Sequence, residues 1–241
     1  MKSQFYRWRS LFGIVTRYCI KLIEFFIILL VICNNAKADD YTKQWTVDTI
    51  IGPWPGNEKV KYYIESQLRL IDDPYIFNQA FLLTGLGYQF TPTVTVFMGP
   101  GFIATKNTEG YTYYEYRLWE QLNWLAVDNS SVTLNSRTRF EQKVRNDQSQ
   151  VALQLRQRLW MRIPIPHFKK YYYSTFDEIF FNINNPSWVS PKIFEQNRAF
   201  IGIAKQLTKN TIVDFGYLNQ LQFGPPRQMS NVILLSFSTN L

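Results

Sequence analysis

From residue 61 to the carboxyl end the chain alternates with period two. Tyr62, Ile64, Ser66, Leu68 and Leu70 form one mainly apolar face, opposed by Tyr63, Glu65, Gln67 and Arg69. Ala80, Leu82, Thr84, Leu86, Tyr88 and Phe90 then alternate with Gln79, Phe81, Leu83, Gly85, Gly87 and Gln89, and after Thr91-Pro92-Thr93 the apolar face resumes at Val94, Val96 and Met98. The same pattern sets Tyr114, Tyr116, Leu118, Leu122 and Trp124 against Glu115, Arg117, Trp119, Gln121 and Asn123. Later, Leu153, Leu155, Leu159, Met161 and Ile163 oppose Gln154, Arg156, Arg158, Trp160 and Arg162. Successive side chains of a strand point to opposite faces, so alternation held over segments of 10 to 14 residues predicts strands, not helices.

These segments exceed the usual strand of about 5–6 residues. Segments of about 9–11 residues with one apolar face mark a transmembrane β-barrel. A soluble sandwich would bury its apolar face and wet a uniformly polar one. Here the second face mixes Arg, Glu, Gln, Trp and Gly, which suits a polar lumen with side chains pairing across it. Tyr62, Tyr88, Tyr114, Tyr116, Trp124, Tyr171 and Tyr173 recur near segment ends, as aromatic girdles do.

Eleven segments are counted, near 45–51, 60–71, 78–90, 93–105, 111–125, 131–145, 150–163, 171–183, 194–207, 211–222 and 230–241. Bacterial single-chain barrels carry even numbers, so residues 60–241 pair into ten strands, and 44–51 is either a plug-like inner strand or half of a further hairpin. The expected fold is all-β: a transmembrane antiparallel β-barrel of about 10–12 strands. Short turns at Thr91-Pro92 and Lys209-Asn210 are assigned to the periplasmic side. The last strand, with Ile233, Leu235, Phe237, Thr239 and Leu241 on one face, has the form that outer-membrane assembly machinery recognises, although that signal usually ends in Phe.

The amino terminus changes the reading of charge. Basic Lys2, Arg7, Arg9, Arg17 and Lys21 precede a 12-residue apolar run at 22–33, followed by Ala36-Lys37-Ala38. This is the order of a secretory signal with cleavage after Ala38; a retained span would need about 20 apolar residues. The expected division is a signal peptide, 1–38, and a barrel, 39–241. Six basic residues and one acidic residue leave with the signal, which takes the formal +8 of the whole chain to +3. The argument for a nucleic-acid partner goes with them. Cys19 and Cys33 leave too, so disulfides and thiol chemistry are excluded from the mature chain.

The ordered pieces Glu65-x-x-x-Arg69, Glu115-Tyr116-Arg117-Leu118-Trp119, Arg137-Thr138-Arg139-Phe140-Glu141, Asp177-Glu178 with Phe180 and Asn182, Glu195-Gln196-Asn197-Arg198 with Gly202, and Gly216-Tyr217-Leu218 carry a resemblance. Over residues 45–241 the chain resembles the uncharacterised outer-membrane barrel family catalogued as domain of unknown function 2490. The resemblance implies a β-barrel in the bacterial outer membrane, with outer-membrane lipids as its surroundings, and supplies no activity.

By alternation, twelve charged residues face the lumen: Glu65, Arg69, Glu115, Arg117, Arg137, Arg139, Glu141, Arg156, Arg158, Arg162, Glu178 and Arg198. With Lys143, the cations outnumber the glutamates. Arg rings line anion pores, so passive passage of small or anionic solutes is the leading expectation. The alternative is a non-conducting structural or ligand-binding barrel, its interior filled by a self-paired charge ladder, because barrels of this size are mostly filled by side chains. An outer-membrane hydrolase is the third class. Its one candidate residue is His167, in the Pro164–Lys170 turn, and no metal cluster, phosphate-cradling loop or dinucleotide fingerprint accompanies it. No catalytic, cofactor-binding or metal-binding residue is therefore assigned. The candidate loops at 184–192, which holds Trp188, and 223–230 could meet a ligand.

Overall fold

The computed structural model describes residues 37–71, 76–107, 110–224 and 226–241. The expected signal segment lies outside the described residues except for Lys37 and Ala38, which begin the first strand. Eleven strands follow one another with no helix among the described residues: β1 (Lys37–Trp54), β2 (Asn57–Ile71), β3 (Ile76–Thr91), β4 (Val94–Lys106), β5 (Thr112–Asp128), β6 (Thr133–Arg145), β7 (Ala152–Pro164), β8 (Tyr171–Asn182), β9 (Phe194–Gln206), β10 (Thr211–Gln222) and β11 (Gln228–Asn240).

Each strand pairs with its sequence neighbour, and β1 closes the barrel against β11. A ring in which every neighbour runs antiparallel must hold an even number of strands, so eleven strands force one parallel pair. That pair is β1–β11, in register from Lys43↔Val232 to Ile51↔Asn240. On its other side β1 pairs antiparallel with β2 from Lys43↔Ile71 to Pro53↔Lys61. The segment expected as a plug or a half-hairpin is thus a full wall strand, hydrogen-bonded on both edges. Closure leaves no strand edge unpaired, which removes the usual template for aggregation.

The connections sort into two rims. Residues 55–56, 92–93, 129–132, 165–170 and 207–210 form a short-turn rim. The opposite, loop rim includes 107, 110–111, 146–151, the 11-residue segment 183–193, 223–224 and 226–227. Pairing constrains backbone spacing most tightly at Gly99 in β4, where an added Cβ would sit 2.0 Å from the Thr84 carbonyl oxygen. Next to it, Pro100 offers no N–H to the ladder.

The alternation read from the sequence is the inside–outside alternation of the wall. Leu82, Leu86, Met98, Phe102, Leu118 and Leu122 are exposed on the outside, while Phe81, Leu83, Phe97, Ile103, Trp119 and Gln121 are buried within. Of the aromatics expected at the ends, Tyr88, Tyr114, Tyr116, Trp124 and Tyr173 are exposed on the outer face. Tyr62 and Tyr171 share that face and are partly covered.

The lumen is less polar than expected. One apolar cluster, with Tyr63, Phe81, Leu83, Phe97, Ile103 and Trp119, lies on the β2–β5 side. A second, with Trp45, Trp160, Phe176, Phe200, Leu218, Val232 and Leu234, lines β1 and β7–β11. Charge occupies the space between two greasy walls.

Candidate functional site

Three carboxylates and three guanidiniums form a closed ring across the lumen. Glu65 on β2 accepts from Arg139 Nη2 at 2.9 Å and lies 3.6 Å from Arg137 Nη1, both on β6. Arg137 Nη2 reaches Glu178 Oε1 on β8 at 2.5 Å, and Arg156 Nη2 on β7 reaches the same oxygen at 2.9 Å. Arg156 Nη1 donates to Glu141 Oε1 at 2.8 Å, and Glu141 closes the circuit at 3.7 Å from Arg139 Nη1. Acid and base alternate around this ring, so it is neutral as a unit. Arg156 on β7 contacts its neighbours β6 and β8, Arg137 reaches past β7 from β6 to β8, and Arg139 and Glu141 share β6. The contacts to Glu65 cross the lumen, because β2 is separated from β6 by three intervening strands.

Hydrogen bonds hold the ring members in place. Tyr63 donates its hydroxyl proton to Glu65, and Gln67 Nε2 donates to the other oxygen at 2.6 Å. Arg139 is fully buried; its Nε donates to Gln121 at 2.6 Å and its guanidinium lies 5.1 Å from the Trp119 ring. Such satisfaction is needed, because each ion taken out of water costs several kcal/mol, repaid only by good geometry.

The remaining members of the expected ladder stand around the ring in different ways. Arg117 Nη1 bonds Glu141 at 2.7 Å and its Nε bonds Glu115 at 2.5 Å, extending the network toward β5. Arg162 grips Asp214 with two bonds of 3.0 and 2.6 Å. Asp214 also accepts from Ser174, which accepts from the Trp160 indole. Arg158 makes no ion pair among the described residues and lies on Trp160, 4.6 Å from its centroid. Arg198 lies on Trp45 and Phe180, at 4.8 and 4.6 Å, and comes no nearer than 3.9 Å to Glu178. Arg69 is sandwiched between Trp45 and Phe81, at 4.0 and 4.1 Å.

Sequence reasoning missed Asp214, fully buried on the inward face of β10, and Glu195, whose carboxylate accepts from Gln154. It placed Gln67, Gln79, Gln121 and Gln154 on the inward face by parity but gave these amides no role. Parity could have found Asp214: it alternates with Phe215 and Tyr217, which are exposed outside.

The ring divides the internal space. A cavity of about 180 Å³ on the short-turn side is lined by Arg137, Arg158 and Arg162, and one of about 210 Å³ on the loop side by Arg69, Lys143 and Arg198. Between them, beside Glu65, Arg137 and Glu178, only about 40 Å³ is open. A further space of about 400 Å³ at the loop rim shares Lys143, Glu195 and Gln222 with the loop-side cavity. At that rim Arg145 donates to Asp147 at 2.6 and 3.2 Å, and these bonds hold the carboxyl below its usual range. His167 is exposed in the 165–170 turn with φ 67°, at the opposite rim.

A family model described as a protein of unknown function, DUF2490, matches residues 43–231. An uncharacterised protein of Methylorubrum extorquens is 27% identical over 197 residues, covering 80% of this chain and 85% of its own length. No solved structure matches the chain.

Proposed function

The chain belongs to the DUF2490 family, whose description assigns no activity, and from that starting point we propose that it is a bacterial outer-membrane β-barrel whose lumen is held shut by its own ion pairs. The observation that carries this is the inverted distribution of polarity. Leu, Met, Phe and Tyr are exposed on the outer wall, while Glu65, Arg139, Glu141 and Glu178 are buried inside. A soluble barrel has no reason to show its apolar face to water over most of its circumference. Lipid reverses that cost and also requires a closed wall, since no backbone group can go unpaired there.

In this reading, residues 1–38 direct export and are removed, the β11 strand engages the assembly machinery, and the exposed aromatics sit at the headgroup level. The ring then acts as a strut across the barrel and as a bar to free passage. Passage of anionic solutes is the second reading, favoured by the cavities on both sides of the ring and the arginines lining each. Two measurements test the proposal. The protein should fractionate with outer membranes and migrate differently on gels before and after boiling, and in planar bilayers it should give no open-channel steps. A chain recovered in the soluble periplasmic fraction would overturn the location, and stable large conductance would overturn the closed lumen.

A further inference from the structure

Three of the cations left over from the ring gather on its loop side, while Arg158 lies on the short-turn side. Arg69, Lys143 and Arg198 all line the loop-side cavity of about 210 Å³. Arg69 is only 7% exposed, yet it meets no carboxylate among the described residues. Its terminal nitrogens donate to Gln79 and Gln67 at 2.9 and 2.8 Å, both neutral acceptors, and its Nε has no partner. The Trp45–Phe81 sandwich fixes its plane, so it cannot swing toward an acid. Lys143, 5% exposed, likewise has no ion pair among the described residues. Arg198 has only Glu178 at 3.9 Å, a carboxylate already engaged by Arg137 and Arg156.

An isolated buried cation is costly unless an opposite charge joins it. Glu195 is the one carboxylate lining this cavity outside the ring, and it is bonded to Gln154. Three surplus cations facing one acid leave room for an anion carrying one or two charges. The uncharged polar part of the lining is all amide, Gln79, Gln154, Gln220 and Gln222 among it, and Phe81, Leu83 and Phe180 complete the wall. Amides donate and accept at once, which suits hydroxyl groups. The rim space of about 400 Å³, which shares Lys143, Glu195 and Gln222 with this cavity, adds the rings of Tyr113 and Trp188. Trp188 is held in position by its indole N–H bond of 2.9 Å to the Gln150 carbonyl.

We propose that the loop-side cavity is a binding site for a small anionic sugar, its acid group held among Arg69, Lys143 and Arg198, its hydroxyls by the glutamines, and its ring against Trp188 at the mouth. The site needs only the barrel interior and its loop rim, so it goes beyond the closed-barrel reading and does not depend on the surrounding bilayer.

The test is isothermal titration calorimetry on the full chain in a polyoxyethylene detergent, which presents no sugar of its own. The probes are glucose 6-phosphate, glucuronate, glucose and inorganic phosphate. At least one of the two anionic sugars is expected to bind, glucose is not, and the tighter of the pair identifies the acid group. Lys143→Gln and Arg69→Gln should each weaken that binding at least tenfold, and Lys209→Gln at the opposite rim should leave it unchanged. Heat-modified mobility checks that each variant is folded; Lys143→Gln, nearer the mouth, serves if Arg69→Gln does not fold. Absence of binding by both anionic sugars overturns the site, as does binding that Lys143→Gln leaves intact. Inorganic phosphate binding as tightly as glucose 6-phosphate overturns the role given to the glutamines. None of these readouts depends on conductance, so failure here leaves the closed lumen standing.

Discussion

Arg139 and Glu65 stand 74 residues apart in the chain and meet across the lumen, Nη2 to Oε2 at 2.9 Å. The bond ties β6 to β2, which are not neighbours in the wall, so it braces the cross-section in a way that ladder hydrogen bonds cannot. Glu65→Gln would leave Arg139, fully buried, with a weaker partner. Removing one member of such a pair costs about 3–5 kcal/mol. Equilibrium urea unfolding of the barrel in lipid vesicles should show a loss of that size. A double replacement, Glu65→Leu with Arg139→Met, should lose less than Glu65→Gln alone, because no charge is then stranded. A loss below about 1 kcal/mol for the single variant, the range of exposed pairs, would mean that the strut contributes little.

Only about 40 Å³ is open beside Arg137 and Glu178, between the two larger cavities. Replacing both with Ala removes two ring members together and joins the flanking cavities. In planar bilayers the double variant should show discrete current steps that the parent lacks, with anions preferred because Arg158 and Arg198 remain. Equal silence in both would place the barrier in the aromatic clusters instead.

The parallel closure can be trapped chemically. Thr46 and Leu235 are Cα partners across β1 and β11 and share the outer face. With Cys19 and Cys33 changed to Ser, Thr46→Cys with Leu235→Cys should oxidise to an intramolecular disulfide, detected by mass and by altered mobility of the unfolded chain. Thr46→Cys with Phe237→Cys, two residues out of register, should cross-link poorly. The reverse ranking would refute the β1–β11 register.

Gly202 and Gly216 face each other across β9 and β10, and a Cβ on Gly216 would lie 2.5 Å from the Gly202 Cα and 2.3 Å from the Ile201 carbonyl oxygen. Those are backbone atoms and cannot rotate away. Gly216→Val should abolish the heat-modifiable folded band. Gly56→Ala is the contrast: nothing lies within 4 Å of its added carbon and only its φ of +82° is strained, at a cost of about 1–2 kcal/mol. That variant should still fold, with a small shift in its unfolding midpoint.

Much of the wall was legible because period-two alternation is a local property. Residues such as Leu82 and Phe81, or Leu118 and Trp119, declare opposite faces without any knowledge of their neighbours. The charges of the lumen followed by the same parity. Their pairing did not, because the meeting of Arg139 with Glu65 depends on strand number and stagger around the whole ring. Inward aromatics were legible only in part: parity put Trp160 on the lumen face, but its packing on Phe176 of β8, 5.1 Å away, depends on strand register. Asp214 was open to the same parity, but its β10 segment offers no other charge on an inward face that is otherwise Gly216, Leu218 and Gln220. The start of β1 was lost where Lys37 and Ala38 also fit a cleavage site.

The parallel seam makes this a two-ended molecule. β1 and β11 run in the same direction, so the wall begins at one rim and finishes at the other. In an even-stranded barrel both ends emerge together, and a few residues could splice them. Here a splice would have to travel the height of the wall, roughly 40 Å for a 13-residue strand at about 3.3 Å per residue. Circular permutants joined by a short linker are therefore closed to this fold, and a reporter attached after Leu241 and an epitope placed just ahead of β1 would stand at opposite rims of the barrel.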